Sequence, residues 1–122
     1  MSNNPLSAYQ TVEQSTMSGR ATEARVLTKA AMLLKECQDN WNAADRRRRL
    51  HEALEYNQRI WSVIQGSLLE NDNPLPKEVR RDILMLSAYV DKRIFDIMAY
   101  PASEKLSIII DINFNLAAGL RL

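Results

Sequence analysis

The residue types able to do chemistry are few and scattered. His51 is the sole histidine and stands beside Leu50 and Glu52 near the start of a helix, and an ordinary, partly exposed side chain is the expectation, since histidine matters most when another group tunes it. Cys37 is the sole cysteine. It has no CxxC partner and no nearby histidine, which reads as a small buried hydrophobe in place of a nucleophile or metal ligand. Gly19, Gly66 and Gly119 stand alone, so no glycine-rich phosphate loop is present. The sequence therefore offers no catalytic set, no metal set and no cofactor, and the expectation is a protein that is not an enzyme.

Two kinds of polar feature remain. Arg46, Arg47, Arg48 and Arg49 follow Asp45. Four consecutive helical residues point around most of the helix circumference, while Arg48 to Glu52 and Glu55 to Arg59 have the spacing of local ion pairs. A solvated first turn is the plain reading. The sharper one is a phosphate-contacting patch for RNA, since arginine suits that purpose, although no aromatic residues are interleaved to stack on bases. Asn57 and Asn113 fall on apolar helix faces, between Leu54 and Trp61 and between Ile110 and Leu116 respectively. Either the two amides hydrogen-bond within the fold and fix helix pairing, or they line a groove that holds a partner's backbone. Trp61 divides the same way, as a core aromatic or an interface anchor.

The elements that must position these residues are helices. With three glycines and four prolines in 122 residues, little interrupts a helix. Asn4 and Pro5 suit the start of a short helix carrying Leu6, Tyr9 and Val12. After the polar residues 13–18, a second helix is expected over about 19–38, with Ser18 as its N-cap and Leu27, Ala31 and Leu34 at helical spacing. Asn42 and Asp45 resemble the next start signal. The stripe that follows, Leu50, Ala53, Leu54, Asn57, Ile60, Trp61, Ile64 and Leu68, is the strongest periodicity in the chain.

Residues 70–76 stop that helix, and Pro76 suits the first position of another carrying Val79, Ile83, Leu86, Val90, Ile94 and Ile97. Ser103 suits the cap of a last helix with Leu106, Ile109, Ile110, Asn113, Leu116, Ala117 and Leu120 on one face. The run 106–112 is rich enough in β-branched residues to pass for a strand, but its spacing continues as a helix to Leu120 and no partner strand exists. The breadth of this face suggests burial on two sides or an exposed binding surface. The expected fold is all-α: an antiparallel bundle of three long helices plus a C-terminal helix, with a short N-terminal helix. One domain covers 1–122, with 1–18 as a mobile appendage.

Composition narrows the function classes. A hydrophobic share of 46%, a charged share of 25% and a net charge of +1 describe an ordinary globular chain with no global attraction to nucleic acid or membrane. A lone thiol fits the reducing cytoplasm. The N-terminus has no basic region followed by an apolar core, and no apolar run approaches a membrane span.

The order of local patterns resembles the FlaF family of flagellar biosynthesis regulators. The resemblance rests on Ala8-Tyr9-Gln10, on Leu54-Glu55-Tyr56-Asn57-Gln58-Arg59-Ile60-Trp61 and on Asn73-Pro74-Leu75-Pro76. It continues in Leu86-Ser87, in Ile110-Asp111-Ile112-Asn113 and in Leu116 with Gly119-Leu120. The tract Arg46 to Arg49 is richer in arginine than the family pattern. What the resemblance implies is a cytoplasmic, non-enzymatic, chaperone-like regulator that binds flagellin and promotes its synthesis and secretion, working beside FlbT. Flagellin's terminal segments are disordered before assembly and become amphipathic helices in the filament, so an apolar groove suits them. On that implication Leu6 and Tyr9 form a movable cover, and Trp61, Ile64 and Asn113 line the groove. The alternative is a regulator of flagellin messenger RNA acting with FlbT, as an adaptor or through Arg46, Arg47, Arg48 and Arg49.

Overall fold

The computed structural model describes residues 5–121, with side chains from Ala21 onward. It contains α1 (Pro5–Asp39), α2 (Arg46–Leu68), α3 (Lys77–Ala99), a 3-10 turn η1 (Ser103–Leu106) and α4 (Ser107–Leu120). The all-α class expected from the sequence is the one observed. The expected short N-terminal helix and the helix from Gly19 are, however, one continuous helix. Residues 13–18 are polar but hold neither proline nor glycine, and a single interior glycine such as Gly19 costs about 1 kcal/mol, too little to force a break. The separate short helix is corrected accordingly for residues 5–18, while residues 1–4 lie outside the described residues.

The helices alternate in direction. α1 meets α2 as an antiparallel hairpin, α2 meets α3 the same way, and α4 returns along α1. The contact of α1 with α4 is the most extensive in the fold. Ala24, Ala30 and Ala31 of α1 and Ala117 of α4 are fully buried, and side chains this small let two helices approach closely. Both ends of this pair are tied. Gln38 Nε2 donates to the Ser103 carbonyl and to Ser107 Oγ, each at 2.9 Å, and Arg121 donates to Thr28 Oγ1 at 2.9 Å. α3 is held by α2 and, at its C-terminal end, by η1, where Lys105 Nζ lies 3.1 Å from Asp96 Oδ2 and donates to the Tyr100 carbonyl.

The buried residues of α2 are Leu50, Ala53, Leu54, Asn57, Ile60, Trp61, Ile64 and Leu68, the same eight that the periodicity marks. α3 departs from expectation. Its buried seam is Ile83, Ser87, Val90, Ile94 and Ile97, a strict alternation of four and three suited to packing against one neighbour. Val79 and Leu86, expected inside, are exposed. Leu86 and Ser87 compete for one level of the seam; Ser87 occupies it, and its hydroxyl accepts a hydrogen bond from Gln65 Nε2, which also donates to Asp91 Oδ2 at 3.2 Å. The run 106–112 is helical throughout.

Start signals lie slightly off their expected places. Residues 40–45 form turns, and α2 begins at Arg46. Asp45 occupies the N-cap position without a side-chain capping bond; its carboxylate instead accepts from Arg49 Nε at 2.7 Å and Arg48 at 3.4 Å. Pro76 is the residue before α3, and Ser103 opens η1 one turn ahead of α4.

Candidate functional site

The polar residues singled out on apolar faces converge in the core. Trp61 Nε1 donates to Asn113 Oδ1 at 3.0 Å, and Asn113 Nδ2 donates to Asn57 Oδ1 at 2.7 Å. Asn57 Nδ2 then donates to the Ala53 carbonyl at 2.8 Å and the Ala30 carbonyl at 3.2 Å. This chain runs from α2 to α4, back to α2 and on to α1, and all three side chains are fully buried. Helical spacing places Asn57 and Trp61 one turn apart on the same face, while the approach of α4 brings Asn113 between them. Such a chain is satisfied in only one relative setting of the three helices, so it fixes helix pairing, as the plainer reading of the asparagines expects.

Of the groove residues suggested by the family resemblance, Trp61, Asn113 and Ile64 are thus close together but buried, Ile64 one turn below Trp61. Their accessible surface is close to nil in this state. Leu6 and Tyr9 lie outside the residues whose side chains are described.

The arginine tract is largely paired. Arg48 reaches Asp45 and Glu52, both at 3.4 Å, and Arg49 holds Asp45. The expected Glu55–Arg59 pair forms at 3.4 Å. Arg46 lies over the Trp41 ring, 4.4 Å from its centroid, a cation–π contact. Arg47 makes no ion pair among the described residues. His51 is exposed, with Nε2 3.5 Å from Glu55 Oε2. Cys37 is buried, and that burial raises its thiol pKa above the ordinary value against the opposing pull of Arg49. Among the described residues no cluster of histidine, cysteine and carboxylates has the makings of a metal site, and no helix is long and apolar enough to cross a membrane.

The surface that sequence reasoning missed is on α3. Outside its buried seam the helix exposes Val79, Leu86 and Tyr89 along one flank, with Met85 beside Tyr89 at 67% exposure. On the opposite flank it exposes Phe95 and Met98. The signal was present in the sequence: α3 carries more large apolar residues than one seam can bury, and the seam's polar member, Ser87, means that an apolar neighbour must lie outside. Exposed apolar residues grouped on one helix mark an interaction surface more often than singly scattered ones do.

No curated protein sequence and no solved structure matches the chain. A family model described as flagellar protein FlaF matches residues 5–120. That match takes in all four helices, the buried Asn57–Asn113 chain and the exposed side of α3, and on it the chain belongs to the FlaF family of flagellar proteins.

Proposed function

We propose that this FlaF protein acts in flagellum biogenesis as a non-enzymatic, chaperone-like factor that binds flagellin in the cytoplasm and promotes its synthesis and secretion. The observation that carries the reading is the exposed apolar flank of α3, formed by Val79, Met85, Leu86 and Tyr89. An amphipathic segment that orders on contact needs apolar anchor points spaced along a rigid element. α3 supplies these on a helix whose other side is locked to α2. Trp61, Ile64 and Asn113 are buried, so in this reading they hold the bundle together while the contact is made on α3.

Titration calorimetry of the protein against purified flagellin, at low and at moderate salt, tests the proposal. Apolar contact predicts saturable binding that changes little with salt. Binding to FlbT without flagellin binding replaces the chaperone reading with an adaptor role. Salt-steep binding to flagellin messenger RNA, lost on substituting Arg46 and Arg47, replaces it with RNA regulation.

A further inference from the structure

A second recognition surface lies where the first turns of α2 face the last turn of α3. The two helices leave an open cleft of about 960 Å³ there. Its floor is Leu50, Leu54 and Ile97, and Met98 and Pro101 form the wall on the α3 side. Phe95, 65% exposed, precedes Met98 by one helical turn and extends that apolar wall along α3.

The rim on the α2 side is cationic. Arg46, Arg47 and His51 line it. Among the described residues Asp45 is the one carboxylate that lines the cleft, and Arg48 and Arg49 both hold it. Glu52 faces Arg48, and Glu55 is shared between Arg59 and His51. Among the described residues, the positive charge of Arg46 and Arg47 is therefore not cancelled by a carboxylate. The Trp41 ring beneath Arg46 holds that guanidinium in place, which lowers the entropy lost when it binds an anion.

We propose that this cleft docks an acidic amphipathic peptide segment of a partner protein. The segment's apolar side chains lie against Met98 and the floor, and its carboxylates meet Arg46 and Arg47. Charge complementarity selects the occupant: a basic segment would bring like charges together, and a purely apolar one would leave the two guanidiniums partly desolvated without partners. The site is on the flank of α3 opposite to Leu86 and Tyr89, so the proposal goes beyond the flagellin reading and does not depend on it.

Fluorescence anisotropy with three labelled peptides tests it. The peptides share leucine anchors at helical spacing and carry glutamate, glutamine or lysine at the remaining positions. The glutamate peptide is expected to bind about tenfold more tightly than the glutamine peptide, as charge-assisted pairing allows, and the lysine peptide not to bind. Arg47→Glu is expected to abolish that preference and Met98→Gln to weaken the glutamate peptide, while Arg81→Glu, an exposed change elsewhere on α3, leaves both unchanged. Circular dichroism confirms that each variant is folded. Equal affinity for the three peptides, or indifference of the glutamate peptide to Arg47→Glu, overturns the proposal. Binding of an RNA oligonucleotide through the same arginines, with no binding of the glutamate peptide, overturns it in favour of a nucleic-acid site.

Discussion

Replacing Asn113 by leucine keeps the side chain near its native volume and removes both hydrogen-bonding functions at the middle of the buried chain. Trp61 Nε1 loses its acceptor and Asn57 Oδ1 loses its donor. Each buried group left unpaired costs about 1–3 kcal/mol, so Asn113→Leu is expected to lose about 2–6 kcal/mol, a large share of the roughly 5–15 kcal/mol of a typical domain. Asn57→Leu strands only the Asn113 amide, for about 1–3 kcal/mol, because the Ala30 and Ala53 carbonyls keep their helical partners. In the double variant the two leucines meet each other and only Trp61 Nε1 is left unpaired, again about 1–3 kcal/mol. The double variant should therefore be more stable than Asn113→Leu alone. Urea unfolding followed by circular dichroism reads this directly, since with a slope of about 1–3 kcal/mol per molar the single change moves the midpoint by about 1 M or more. Additive losses, or a midpoint unmoved by Asn113→Leu, would refute the account of the chain as a coupled unit.

Three further outcomes follow from particular residues. Leu86→Asp and Tyr89→Asp, at exposed positions, should change stability by no more than about 0.5 kcal/mol while weakening flagellin binding at least about tenfold by calorimetry; intact affinity in both moves the contact away from α3. Gly66 is exposed in the interior of α2 and has open space around the position of an added Cβ, so Gly66→Ala should raise stability by about 0.5–1 kcal/mol in the same urea experiment. Cys37 has its pKa raised by burial, so the folded state holds a proton that the unfolded state releases more readily. Stability from this group is therefore complete below the unfolded thiol's ordinary value of about 8.5 and declines as pH rises from there towards the raised folded value. Cys37→Ala should flatten that part of the pH profile, and a thiol reagent should label the native protein far more slowly than the urea-unfolded one.

Legibility in the sequence followed how local the determining interaction is. The buried face of α2 was readable in full because one helix with one dominant stripe specifies its own inside. The pairing of Asn57 with Asn113 was not readable, since it depends on α4 arriving beside α2 across fifty-six residues of chain. On α3 two apolar stripes compete, and which one turns inward depends on how the helix meets α2, so periodicity alone marks Leu86 for burial and does not single out Ser87. The continuity of α1 was not readable, because the polar residues 13–18 end an apolar stripe without ending the helix that carries them. The cleft behind Arg47 was visible as an arginine cluster but not as a cavity, because its apolar wall comes from the far end of α3.

The dominance of the α1–α4 contact bears on the order in which the chain can fold. Gln38 and Ser107 are separated by 69 positions, and at about 5–20 residues per second a ribosome needs roughly 3–14 s to supply that interval. During this time α1 can pair with α2, yet its alanine-lined face has no partner. Contacts of such high sequence separation form late in folding as well. Closure of the bundle thus waits on the synthesis of α4, and until then the pair of α1 with α2 stands open along the face of α1 that α4 covers.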